Sequence, residues 1–148
     1  MIILSCSYRG LANNPKKLAL KEVIRNYNPD MILLQETLGA REEVAKSPSK
    51  ILPSWIMQVL DAKGHSGGLA LAFKPEKFKC LNSWGMDQVI GMEVYSQELC
   101  TSLLIVNIYG PCQERAHFWK SLLSKSLLNK PNLVIGGDLN FSIGSLET

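Results

Sequence analysis

Histidine and cysteine are scarce in this chain, and the scarcity narrows its chemistry. There are two histidines, His65 and His117, and four cysteines, Cys6, Cys80, Cys100 and Cys112. No two cysteines form a Cys-x-x-Cys pair, and neither histidine stands at metal-ligand spacing from one, which excludes a structural zinc site and a disulfide framework. The thiols are expected to pack as small hydrophobes. Long apolar runs are also missing: none approaches the ~20 residues needed to span a bilayer. The first residues, Met1 to Arg9, carry no basic leader, and their apolar run is too short for a signal peptide. The expected setting is intracellular, in nucleus or cytoplasm, with no membrane and no obligate protein partner. Dense basic clusters are absent as well, and 16 Lys and Arg against 13 Asp and Glu leave a net charge of only +3. Charge alone therefore does not indicate nucleic acid. With no repeat or low-complexity tract, residues 1–148 are expected to form one α/β domain.

What is present concentrates near the end of the chain, in Asn132-Leu133-Val134-Ile135-Gly136-Gly137-Asp138-Leu139-Asn140. Leu133 to Ile135 read as a short buried strand, and the two glycines give the backbone room to turn. If the chain stays extended beyond them, Asp138 and Asn140 point the same way. A carboxylate leaving a buried strand needs a metal, a cation or several donors. Two earlier strands end similarly. Met31 to Leu34 run into Gln35 and Glu36, and Leu103 to Ile108 run into Tyr109-Gly110-Pro111. Ligands of α/β sheets bind in the crevice at the carboxyl ends of strands. Two acids, an amide and a phenol collected there read as a site; each taken singly reads equally well as a loop cap.

In chain order, Ile2 to Cys6 read as a buried first strand, followed by Ser7, Tyr8 and Arg9. Arg9 has two readings, a planar fork for phosphate or a structural ion pair. Asn14 and Pro15 suit a helix start, and Leu20, Val23, Ile24 and Tyr27 supply its apolar face. Asn28-Pro29 ends it, and the strand to Gln35 completes a right-handed βαβ unit. Arg41 to Lys46 suit a short helical turn. Trp55 to Leu60, Leu69 to Phe73, Phe78 to Trp84, Val89 to Tyr95 and Cys100 to Ile108 suggest strands of an antiparallel meander. A second helix should follow Pro111, with Glu114 near its start, Lys125 and Lys130 near its end, and Phe118, Trp119, Leu122 and Leu123 as its buried stripe. His65 reads as a solvated loop residue in a glycine-rich hairpin, and His117 as surface or edge packing.

Five segments occur in the order of a known family: Leu4 to Leu11, Pro29 to Thr37 (PDMILLQET), Ser66 to Ala70 (SGGLA), Asn107 to Pro111 (NIYGP) and Gly136 to Asn140 (GGDLN). Together they resemble the endonuclease/exonuclease/phosphatase superfamily, most nearly the endonuclease domains of plant LINE-type retrotransposons and reverse-transcriptase-like proteins. The resemblance implies a layered α/β sandwich and Mg²⁺- or Mn²⁺-dependent hydrolysis of phosphate esters, with DNA as partner. It makes Glu36 the metal ligand. Asp138 would orient the attacking water, Asn140 would hold phosphate and acid in place, and Tyr109 would hydrogen-bond a phosphate oxygen. Arg9, Ser7 and Asn107 would contact the substrate. A hard divalent cation suits carboxylate oxygen and keeps waters, and it polarises the phosphoryl group.

The sequence departs from the family pattern in two places. Cys6 and Ser7 stand where a tryptophan-asparagine pair is usual, and the family's later aspartate and closing serine-aspartate-histidine motif do not follow Asn140. The resemblance therefore implies a sandwich incomplete at its C-terminus, open edges at Ile2 to Cys6 and Leu133 to Ile135, and weak or absent activity. Losing a general acid or base typically costs ~10²–10⁴-fold. Two further readings stand beside the endonuclease: a catalytically dead retroelement remnant binding nucleic acid weakly, and a phosphoesterase acting on a phosphoinositide or other lipid.

Overall fold

Alternating apolar side chains along β2 (Met31–Gln35) set the layers of this protein, because they face opposite sides of one sheet. The computed structural model describes residues 1–9, 14–37, 51–61 and 67–140. Around β2 lie β1 (Ile3–Ser7), β3 (Ile56–Leu60) and β4 (Leu69–Phe73), in the order β1-β2-β4-β3. A second four-stranded sheet has the order β5-β6-β7-β8, from β5 (Phe78–Met86), β6 (Val89–Ser96), β7 (Thr101–Tyr109) and β8 (Leu133–Asp138). The expected meander is thus divided: β5 to β7 form it, whereas β4 pairs antiparallel with β2 and β3 in the other sheet. Met31, Leu33, Leu71, Phe73, Ile90, Met92 and Ile105 fill the space between the sheets. This is the layered α/β sandwich expected from the resemblance.

The outer faces carry the helices. Ile32, Leu34, Ala70 and Ala72 turn away from the second sheet and pack with Leu20 of α1 (Asn14–Tyr27). Tyr27, expected on that face, is 63% exposed, so the apolar stripe ends at Ile24. On the other side Val89, Val106 and Ile108 meet Leu122 of α2 (Arg115–Leu123), with Phe118 and Trp119 partly buried. This helix is shorter than expected at both ends. Glu114 sits before it in the left-handed region without a side-chain cap. Beyond Leu123 the chain turns and forms a 3₁₀ turn at Leu127–Asn129, so Lys125 and Lys130 do not stand on the helix. Leu123 itself is exposed. No helix among the described residues is long and apolar enough to cross a membrane. Arg41 to Lys46 and His65 lie outside the described residues.

β1 and β8 differ from the buried strands expected. Each is an edge, paired parallel on one side only, to β2 and β7 respectively. Their residues are half-buried to exposed, with Ile2 and Ile135 open to solvent. The cysteines also depart from expectation: Cys80, Cys100 and Cys112 are exposed, and Cys6 is only half-buried. Scattered single cysteines on strand ends and turns carry too little apolar area to dictate burial.

Candidate active site

The glycines of the GGDLN segment do not turn the chain. β8 runs through both of them to Asp138, and they let it lie against its neighbours. A Cβ at Gly136 would meet Leu33 Cδ1 at 2.5 Å. Gly137 adopts φ +129°, and a Cβ there would collide with the Ile108 carbonyl. Only glycine satisfies both demands. The close fit sets Asp138 directly opposite Tyr109 in the parallel register of β7 and β8. Gly110 N–H then donates to the Asp138 carbonyl at 2.7 Å, locking the two strand ends together.

Asp138 and Asn140 are not side by side on an extended chain. Asn140 has φ +50°, and its backbone N–H donates to Asp138 Oδ1 at 3.0 Å. Its amide Nδ2 donates to the Gly110 carbonyl. Asn140 thereby holds the carboxylate of Asp138 and the turn after β7 as one unit. This is the local hydrogen bonding that suits Asn to the left-handed region.

Glu36 enters from the first sheet. It follows β2, is half-buried, and has φ +55°, a conformation that costs a non-glycine residue roughly 1–2 kcal/mol. Its Oε1 accepts a 2.6 Å hydrogen bond from the Tyr109 hydroxyl, which joins the two sheets at their carboxyl ends. That bond, partial burial, and the negative charges of Glu36 and Asp138 push the Tyr109 phenol up to about 12. Both carboxylates therefore act on one hydroxyl, which stays a donor throughout the neutral range.

Beneath this pair lies a buried amide tie that the sequence did not announce. Gln35 Nε2 donates to Asn107 Oδ1 at 2.6 Å and to Ser5 Oγ at 3.2 Å. Asn107 Nδ2 donates to the carbonyls of Leu34 and Ala70, both at 3.0 Å. Asn107 was expected to contact substrate. It is instead 0% exposed with amide hydrogens and oxygen engaged, so it positions the crevice and does not face it. Removing it would take the 2.6 Å acceptor from buried Gln35 Nε2 and a donor from each of two buried carbonyls, at a cost of about 1–3 kcal/mol. The signal available in the sequence was parity: Asn107 shares the inward face of Leu103 and Ile105, and Gln35 that of Leu33.

Ser7 closes β1 and Arg9 lies two residues beyond it. Ser7 is exposed and pairs with Gln35 in the parallel ladder, and Tyr8 N–H donates to the Gln35 carbonyl at 2.8 Å. Arg9 is exposed just past β1, and its carbonyl accepts from Lys16 Nζ. Burial pushes the Cys6 thiol up, which disfavours its thiolate as a nucleophile or ligand. Thr37, next to Glu36, has a buried hydroxyl without a partner among the described residues.

The model of the Endonuclease/Exonuclease/phosphatase family matches residues 3–148. The chain belongs to that family. Members of the family are hydrolases of phosphate esters and generally use divalent metals. Among solved structures, it is similar to a conserved Enterococcus faecalis protein of unknown function (13% identity, TM-score 0.75, covering 97% of this chain and 68% of that one). It is also similar to the human Nocturnin catalytic domain with bound sulfate (16%, 0.68, 93% and 63%). A third is D. rerio TDP2 complexed with a single-strand DNA product (17%, 0.69, 95% and 60%). At such low identity these likenesses show the shared fold alone, and the chain spans about 60–63% of the Nocturnin and TDP2 chains. No curated protein matches the chain.

Proposed function

We propose that this protein is a divalent-metal-dependent phosphodiester hydrolase of the DNA endonuclease type, akin to retroelement endonucleases. The observation that carries the reading is the Tyr109 hydroxyl, bonded to Glu36 across the two sheets, with Asp138 paired to Tyr109 in the β7–β8 register. Two carboxylates and a phenol from three strand ends are an arrangement suited to phosphoryl transfer. The TDP2 relative, crystallised with a DNA product, supports nucleic acid as the substrate class.

The donor set fits Mg²⁺ or Mn²⁺. Glu36 supplies carboxylate oxygen, one lone pair of which the Tyr109 bond occupies, and such cations bind through one or two carboxylates while keeping several waters. A bound cation would polarise the phosphoryl group and neutralise developing charge. Asp138, fixed by Asn140, orients the attacking water. With a cation on the Glu36 carboxylate, the Tyr109 hydroxyl would be released to turn its one hydrogen bond to a phosphate oxygen, from a position already set by the fold. Ser7 and Arg9 line the approach to the phosphate, and Asn107 with Gln35 sets the spacing of the two sheets.

One observation favours a second reading, nucleic-acid binding without turnover. Among the described residues no group of three or more His, Cys, Asp or Glu could hold a metal ion. Single-turnover cleavage of a short labelled DNA in Mn²⁺ separates the two. Hydrolysis that falls at least about 100-fold in Asp138→Asn supports the enzyme. DNA binding with no cleavage, or cleavage unaffected by Asp138→Asn, contradicts it. Cleavage of a phosphoinositide in preference to DNA would move the substrate to lipid.

A further inference from the structure

A groove of about 700 Å³ runs over the outer face of the second sheet, between β5 to β7 and the turn that follows α2. Trp84 on β5 is the one aromatic residue among its described lining residues. Trp84 pairs with Gly91 of β6, and Gly91 pairs with Val106 of β7. That row lies roughly 10 Å along the strands from Tyr109. Gly91 gives the indole its place. A Cβ there would collide with three bonded atoms of Trp84, with Cε2 nearest and Cζ2 and Nε1 on either side of it. A point nearest the middle atom of the three lies over the ring and not beyond its edge. One indole face therefore covers the Gly91 backbone, and the opposite face turns outward from the sheet.

Charge falls on one side of the groove. Lys125 follows α2 and Lys130 closes the 3₁₀ turn, so one short segment carries both lysines to it. Both are exposed, and neither has an ion pair among the described residues. Glu93, exposed on β6 opposite Leu104, is the one acid among the described lining residues. Two unpaired ammonium groups favour a polyanion, and the outward indole face favours flat rings. An acidic peptide meets only the first demand. A single nucleic-acid strand meets both, because its phosphates reach cations while its bases stack on the aromatic ring.

We propose that this groove is a second contact for single-stranded nucleic acid, with Trp84 as the stacking platform and Lys125 and Lys130 as the phosphate contacts. The choice of nucleic acid over other polyanions rests on the endonuclease reading above, which it deepens. The groove holds an unpaired strand near the crevice and touches no reacting atom.

Anisotropy of labelled oligothymidylate in EDTA tests the groove without turnover. Trp84→Leu should weaken binding at least about fivefold, the loss of one stacked base. Lys125→Ala together with Lys130→Ala should reduce the slope of log affinity against log salt by about 1.4, two single-strand phosphate contacts at about 0.7 each. Lys21→Ala together with Arg25→Ala removes the same charge from α1, across the sandwich, and should leave that slope nearly unchanged. Glu93→Gln removes the repelling carboxylate and should tighten binding, a gain that misfolding does not produce. Thermal melting checks each variant, and the lysine pair keeps the test open if Trp84→Leu does not fold. Unchanged binding in folded Trp84→Leu or in the lysine pair overturns the groove, as does an equal loss of slope in the two double variants. Polyglutamate competing as well as oligothymidylate also overturns it, and moves the site to an acidic peptide. Binding that depends on Trp84 and both lysines, with no DNA cleavage in Mn²⁺, sinks the hydrolase reading and leaves the groove. DNA cleavage lost in Asp138→Asn, with oligothymidylate binding indifferent to Trp84 and both lysines, sinks the groove alone.

Discussion

Asp30 and Glu36 flank the same strand, β2, and their surroundings differ in kind. Asp30 is 8% exposed and fully occupied by the fold. Its Oδ2 accepts from Ile2 N–H at 2.9 Å, and Lys74 Nζ and the N-terminal ammonium lie 3.7 and 3.9 Å away. Its backbone conformation is ordinary. Glu36 has a strained left-handed backbone, and its one described side-chain partner is another residue at the same crevice. A carboxylate that neutralises local cations and caps a strand start is structural. One held in a left-handed backbone and bonded to a phenol rather than a cation is the carboxylate that the proposed hydrolase would use for its metal.

The comparison breaks most visibly in stability. Asp30→Ala should destabilise by about 1–3 kcal/mol, because Ile2 N–H loses its acceptor and Lys74 its counterion. Glu36→Gln, which keeps an oxygen able to accept from the Tyr109 hydroxyl, should lower the midpoint of urea unfolding less than Asp30→Ala does. If both variants unfold alike, the distinction between a structural and a functional carboxylate is lost.

A smaller effect sharpens it. At φ +55° glycine is the cheaper residue, so Glu36→Gly should be more stable than Glu36→Ala by about 1 kcal/mol. Asp30, with no such backbone demand, should show the reverse order. Denaturant midpoints of the four variants decide this, and Glu36→Ala equal to Glu36→Gly would remove the strain argument.

The smallest effect lies in alkaline titration. The Tyr109 phenol ordinarily ionises near 10 and is pushed up to about 12, first by its bond to Glu36. Because the folded state holds that proton more tightly, the stabilisation is complete below pH 10 and is lost as pH rises through about 12. Absorbance at alkaline pH should therefore show the Tyr109 phenol titrating near 12, with burial raising Tyr8 as well, in wild type and in Asp30→Asn. The Tyr109 titration should move back toward 10 in Glu36→Gln.

Much of this site was legible from the chain because strand ends are local. Glu36, Tyr109, Asp138 and Asn140 each close a segment whose apolar run is visible, and the structure brings all four to one end of the sandwich. Partner choice between strands was not legible, since β4 inserting beside β2 is a long-range event that leaves no mark in periodicity. Nor was the work of Gly136 and Gly137, which depends on Leu33 and Ile108 in other strands. Asn107 was singled out through the resemblance as a substrate contact, whereas its inward parity places it in the buried tie with Gln35. The span of α2 was overestimated because Lys125 and Lys130 sit at helix-like positions, while the helix ends at Leu123 and Ser126, with φ +56°, starts a separate 3₁₀ turn.

The central claim is that Glu36 is the metal-binding carboxylate of a phosphodiesterase crevice. Mn²⁺ titration monitored by water-proton relaxation, on wild type and Glu36→Gln, tests it most directly. One site is predicted in wild type, weakened at least about tenfold in Glu36→Gln and little changed in Asp30→Asn. Equal Mn²⁺ binding by wild type and Glu36→Gln would contradict the account and remove Glu36 from the site.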